Sequence, residues 1–313
     1  MSKTNVPVPA RGVYAALATT RRPNSIEADA GAALEYVDKV CAGGVDGLVL
    51  FGSTGEFVHF DVEERKRLVS LAVKRSRVPA LINVSHSTLA GAVEMAEQAI
   101  VTGAAGILVM PPYFYRYGDD EILQFYEAFV EALDGQTPIY LYNLPIFTNP
   151  ISQNLCERLL GSGAFAGIKD SSGEWEYMQF LRALRDRHSF QLLAGNESIY
   201  LRSLLAGADG IVSGVAAAVP ELLVGIQKAV RAADIEIAEA LNSRLNEFLA
   251  WIAKFPATVG IKQAAEERGW MGRCLANPLG AAAKEDLRQF RDWFQAWLPE
   301  TLAQCAATAS MRS

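Results

Sequence analysis

The chain has 313 residues, a net charge of −6, and a composition that is 50% hydrophobic and 20% charged. Half the chain being apolar excludes a disordered protein, which could not offset its ordering entropy. The acidic excess, with no run of Lys and Arg, excludes a nucleic-acid binder that works through the phosphate backbone. The length fits two domains of about 150 residues, or one α/β barrel of about 250 with an appendage. The four cysteines, Cys41, Cys156, Cys274 and Cys305, lie far apart with no CxxC pair. That spacing disfavours a zinc site or a disulfide framework and points to a reducing compartment. The start, MSKTNVPVPARG, has no apolar core of a secretory signal, and no apolar run reaches membrane-spanning length. The expected setting is the cytoplasm.

Taken in chain order, short apolar runs alternate with amphipathic stretches. The runs cover residues 13–17, 47–51, 80–84, 106–110, 138–142, 166–168, 190–194 and 210–213. Near-continuous apolar strands indicate a parallel sheet buried on both faces. Helical spacing follows at 27–41, 62–74, 88–102, 121–133, 152–160, 177–187 and 198–206. Eight such units predict an α/β fold of the (β/α)8 TIM-barrel type. A doubly wound sheet is the alternative, and the count disfavours it. GGVDG, GAAG and GADG precede three of the runs, each placing glycine where a helix should end. After Pro220 the pattern is wholly helical, over 221–232, 235–254, 261–269 and 281–297, and the tail beyond Pro299 is expected to fray. The predicted organisation is an arm over residues 1–11, a barrel over 12–233, and a C-terminal helical extension over 234–313.

Catalytic groups of such a barrel stand where strands end. Lys169 closes the sixth run. A buried lysine is pushed towards its neutral amine, a nucleophile for carbonyls and a Schiff-base former. The competing reading is a lysine that pairs with Asp170. Lys262 is a weaker rival, read as a packing or surface residue inside a helix. Gly52, Ser53, Thr54, Gly55 and Glu56 follow the second run. Their glycines let backbone N–H groups approach an anion, and the hydroxyls add donors. Tyr142 could relay protons, or simply fill the core. Tyr113, Tyr115 and Tyr117 could equally form a subunit contact. The three histidines, His59, His86 and His188, are too dispersed to suggest a metal site, so a metal-dependent aldolase finds no ligand cluster.

In order and spacing, GSTGE at 52–56, YNLP at 142–145 and GIKDSSG at 167–173 resemble the dihydrodipicolinate synthase/N-acetylneuraminate lyase superfamily. The resemblance spans about Gly12 to Pro278. It implies a (β/α)8 barrel with a helical C-terminal domain, commonly a homotetramer of tight dimers. It also implies class I lyase or aldolase chemistry on pyruvate or another 2-oxo acid with an aldehyde partner. No metal or organic cofactor is implied. Lys169 matches the Schiff-base lysine and Tyr142 the proton-shuttling tyrosine. Ser53 extends the relay, and Thr54 binds the carboxylate beside Gly52. Val212 matches a position whose backbone lines the 2-oxo acid pocket.

Two departures bear on substrate. Dihydrodipicolinate synthases typically place an arginine where this chain has Phe147. They place a tyrosine, donated across the dimer, where it has Phe114. Without the guanidinium, a second carboxylate loses its bidentate partner, so weak or no dihydrodipicolinate synthase activity is expected. Phe114, Ile146 and Phe147 suggest an apolar distal pocket and a less polar aldehyde. Sugar-acid aldolase or dehydratase, N-acetylneuraminate lyase-like activity, and a catalytically silent 2-oxo acid-binding homologue are the alternatives.

Overall fold

The computed structural model describes residues 10–23 and 25–310. Most of the expected arm lies outside them. Eight strands form a closed parallel barrel, which rules out the doubly wound alternative. They are β1 (Gly12–Ala16), β2 (Gly47–Leu50), β3 (Ala80–Asn83), β4 (Gly106–Val109), β5 (Ile139–Asn143), β6 (Gly167–Asp170), β7 (Gln191–Ala194) and β8 (Gly210–Ser213). β1 pairs with both β2 and β8, which closes the ring. The strands are buried almost throughout, as their unbroken apolar composition requires.

Eight helices alternate with the strands: α1 (Ala30–Ala42), α2 (Val62–Arg75), α3 (Leu89–Thr102), α4 (Asp119–Leu133), α5 (Gln153–Gly161), α6 (Trp175–Leu184), α7 (Tyr200–Leu205) and α8 (Pro220–Arg231). Local chemistry sets their ends. α1 starts three residues later than the apolar spacing suggested, because Asp29 accepts from the Ala32 N–H as N-cap. Ser152 caps α5 in the same way. Gly103 and Gly207 end α3 and α7 at φ of 81° and 96°, where a Cβ would be strained. That accounts for the recurring glycine ahead of the strands.

The extension consists of α9 (Ile235–Ile252), α10 (Val259–Glu267) and α11 (Ala281–Ser310). α11 corrects the expectation of a fraying tail, since it runs through Pro299 to Ser310. A proline inside a helix forfeits one backbone hydrogen bond. Here side chains on both sides of it are anchored. Trp297 is buried and its indole donates to Glu247, while Thr301 is buried one turn on. Arg244 of α9 reaches Glu300 and Gln304 beyond the proline. Phe248 and Trp251 of α9 interleave with Phe290, Trp293, Phe294 and Trp297 of α11, with ring centroids 5.6–6.4 Å apart. No described helix is long and apolar enough to cross a membrane.

Candidate active site

The β5–β6 register sets Tyr142 beside Lys169 and Asn143 beside Asp170. Side chains alternate across a strand, so the two pairs face opposite ways. Lys169 and Tyr142 are both buried, and the Lys169 Nζ lies 3.8 Å from the centre of the Tyr142 ring. Asp170 does not pair with Lys169. It accepts from Asn143 Nδ2 at 2.7 Å and Ser172 Oγ at 2.8 Å. Burial pushes its carboxyl pKa up, against those two bonds. Asn143 also accepts from the Ile151 N–H, so this outer pair fastens the loop after β5 to the end of β6.

Ser53 Oγ lies 3.2 Å from Tyr142 Oη, which brings the GSTGE turn to the strand pair. Burial alone would raise the tyrosine's pKa. The Lys169 charge and hydrogen bonds from Lys169, Ser53 and Ser171 outweigh it, so Tyr142 titrates below its ordinary value. A phenol so placed can give up a proton and take it back. Gly195 keeps space for the lysine. A methyl group there would come within 2.9 Å of Lys169 Cε and 2.1 Å of Ser171 Oγ.

The turn that follows β2 is rigidly held. Asn83 donates to the Phe51 carbonyl at 2.7 Å, and Thr19 donates to the Gly55 carbonyl at 2.7 Å. Among the described residues none accepts from the Ser53 or Thr54 backbone N–H, which leaves both available to an anion. Gly52 is buried at the strand end, and Thr54 is half-buried against Gly214, where a Cβ would stand 2.8 Å from Thr54 Oγ1. Val212 is buried on β8. Lys169 is level with Leu193, and Leu193 with Gly210, so Val212 stands two residues nearer the C-terminal mouth of the barrel.

A cavity of about 310 Å³ opens beside this group and includes Ser53 in its wall. Phe147 lines it. Phe114 and Ile146 do not, at 86% and 77% exposed in this chain. Phe57, Val58, Met110, Tyr113, Leu144 and Ala257 form the remaining apolar wall. Phe114 holds a φ of 81°, unfavourable for a non-glycine residue. Asn149 secures its loop by donating to the Pro112 and Tyr115 carbonyls.

Two features were invisible in the sequence. Lys262 is buried and not a surface residue. It donates to Glu56 Oε2 at 2.6 Å and to the Cys274 carbonyl at 3.0 Å. Glu56 also accepts from Thr258 and, at 3.5 Å, from Arg21. The last residue of GSTGE is thereby bound to α10. Arg65 is the second. It is buried without a carboxylate, donates to the Asn83 and Ser85 carbonyls, and lies 5.2 Å from the Phe57 ring. Burial lowers its pKa to about 10. No sequence motif joins either residue to its partners, which come from distant segments.

Comparison with known proteins agrees with this geometry. The sequence model of the dihydrodipicolinate synthetase family matches residues 9–297. A DapA-like lyase of Halobacterium salinarum is 31% identical over 262 residues, covering 82% of this chain and 84% of its own. A 4-hydroxy-tetrahydrodipicolinate synthase of Phenylobacterium zucineum is 34% identical over 238 residues, covering 75% and 79%. Among solved structures, YagE of E. coli, a family member crystallised with pyruvate, superposes with a TM-score of 0.84 at 25% identity over 92% of this chain and 98% of its own. CdNal of Clostridium difficile, crystallised with mannosamine, shares the fold at a TM-score of 0.85 and 20% identity, over 93% and 100%. Barrel, strand-end motifs and whole-chain similarity agree, and the chain belongs to the dihydrodipicolinate synthetase family of lyases and aldolases acting on carbon–carbon bonds.

Proposed function

We propose that this lyase forms a Schiff base between Lys169 and pyruvate or a related 2-oxo acid, and makes or breaks a carbon–carbon bond through the resulting enamine. The observation that carries the reading is the Lys169–Tyr142–Ser53 group at the ends of β6, β5 and β2. The Lys169 amine adds to the ketone carbon of the 2-oxo acid. The ketone oxygen gathers two protons, one by way of Tyr142, and leaves as water. The iminium then draws electrons from the adjacent carbon, so a proton or a carbon substituent can depart from it. Ser53 and Thr54 hold the substrate carboxylate through backbone N–H groups and hydroxyls. These local donors must do so in a chain whose net charge of −6 disfavours an anion.

Phe147 supports weak or absent dihydrodipicolinate synthase activity, since no guanidinium stands at its position. The residues of the site fit this chemistry with no cofactor. The exposed Phe114–Tyr115 loop also supports self-association, as the homotetramer that the family resemblance implies.

Borohydride trapping tests the reading. With pyruvate, reduction should fix one pyruvyl adduct on Lys169, read by peptide mass spectrometry. Lys169→Ala should lose the adduct and reduce turnover by several orders of magnitude. An unmodified Lys169 with every 2-oxo acid offered would instead describe a silent binding homologue. Retained turnover in Lys169→Ala would refute the assignment.

A further inference from the structure

The cavity beside Ser53 bears on the second substrate, and this step rests on the Schiff-base reading above. Its wall is apolar where it is deepest. Phe57, Met110 and Leu144 are buried there, and Tyr113 meets the Phe57 ring edge-on at 5.6 Å. Phe147 and Val58 form its more exposed rim.

Most of the polar side chains in the wall are already engaged. Ser53 faces Tyr142. The Thr148 hydroxyl donates to the Leu144 and Asn149 carbonyls, at 3.1 and 3.2 Å. The Thr258 hydroxyl donates to Glu56, whose other oxygen takes Lys262. His59 Nδ1 lies 3.1 Å from Arg21 Nη2, a group that can only donate. A neutral His59 therefore accepts at Nδ1 and keeps its proton on Nε2.

Neither Lys nor Arg lines this cavity, while Glu56 does. A carboxylate entering with the second substrate would find no lining cation to pair with, since Lys262 and Arg21 behind the wall are held by Glu56. A polyhydroxylated tail would give up water against a mostly apolar wall, where the His59 Nε2–H and the Tyr113 hydroxyl are the few groups left to replace it. A flat apolar group meets neither penalty. A volume of about 310 Å³ lies at the lower end for small-molecule sites, which suits a one-ring compound.

We propose that the second substrate is an aryl aldehyde without a carboxylate, seated against Phe57, Tyr113 and Phe147. In the cleavage direction, a 4-aryl-4-hydroxy-2-oxo acid is held by Lys169 as its protonated imine. Tyr142, as phenolate, takes the hydroxyl proton. The C3–C4 bond breaks, and its electron pair moves into the iminium to give the enamine. The aryl aldehyde leaves. C3 then regains the proton from Tyr142, and water hydrolyses the imine to pyruvate and free Lys169. The water used here equals that released when the imine formed.

The test is the purified full-length chain with pyruvate and each of three aldehydes: benzaldehyde, aspartate semialdehyde and erythrose. The benzaldehyde kcat/KM is expected to exceed both others by about tenfold or more. Phe147→Arg should reverse that order, while Phe147→Leu keeps the wall apolar and preserves it. Circular dichroism melting checks that both variants fold. Higher kcat/KM for either polar aldehyde in the parent protein would overturn the proposal, as would a Phe147→Arg variant that keeps the benzaldehyde preference. Saturation-transfer NMR with benzyl alcohol reads the pocket without chemistry, and the signal should vanish in Phe147→Arg. Borohydride trapping of pyruvate alone separates the two readings. A Lys169 adduct with a preference for polar aldehydes sinks only the aryl assignment. Benzyl alcohol bound in a Phe147-dependent way without any adduct sinks only the Schiff base, whereas no benzyl alcohol signal in the parent protein sinks the aryl pocket.

Discussion

Tyr142 has its pKa set by neighbours from two other strand ends. Lys169 and Ser171 follow from β6 and Ser53 from β2, and their combined pull exceeds the effect of burial. Removing one of those bonds weakens the charged phenolate and leaves the neutral phenol untouched. In Ser53→Ala, Tyr142 should therefore ionise at higher pH, nearer its ordinary value of 10.0. The rising limb of kcat against pH should move in the alkaline direction, and turnover at neutral pH should fall on the order of tenfold. Ultraviolet difference titration, with Tyr142→Phe as reference, checks the assignment, and an unmoved limb would count against the relay. Lys169 and Tyr142 were legible because each ends an apolar run within a recognisable motif. The choice between a catalytic Lys169 and one paired with Asp170 was not legible. It depends on which face of the strand each residue takes, and on the Asn143 and Ser172 bonds that occupy Asp170. The pocket wall was only partly legible. Phe147 lines it, but Phe57 and Met110 come from segments whose sequence shows nothing of the cavity.

Among elements, the join between the β2 turn and α10 has the clearest energetic consequence. Glu56 and Lys262 are 206 positions apart, and their side chains are 10% and 2% exposed. Removing one member of a buried pair leaves the other charge uncompensated, at a cost of about 3–5 kcal/mol. Lys262→Met should lower the unfolding free energy towards the lower end of that range, because Arg21 stays beside Glu56. Adding Glu56→Gln to it should restore part of the loss, because the stranded carboxylate is gone. Urea unfolding of the two single variants and the double variant measures this, and additive losses would argue that the pair is not coupled. Local rules let the strand and helix sequence be read along the chain, since apolar runs, N-caps and terminal glycines act within a few residues. The course of α11 was different. Pro299 is a local stop signal, and it was overridden by Trp297, Thr301 and the Arg244 contacts, which depend on α9 being near.

For the whole molecule, the distribution of exposed apolar side chains is uneven. Phe114, Tyr115 and Ile146 stand outward on the loops after β4 and β5. Phe114 and Tyr115 meet edge-on at 5.1 Å, and an exposed aromatic pair of this kind is a candidate site of protein association. Sedimentation velocity should show a species larger than the 34.0 kDa chain, and Tyr115→Glu should shift it towards the monomer. An unchanged distribution would place the contact elsewhere. Glu56 also bears on how the protein could be divided. Topology suggests a cut near residue 233, after the last barrel helix. Such a truncation would remove Thr258 and Lys262, leaving Arg21 as the nearby cation for a carboxylate in the very turn proposed to grip the 2-oxo acid. The barrel is complete as a ring of strands, yet an excised one would lose the anchor of its own binding loop. The extension is thus better regarded as the support of that turn than as a detachable module.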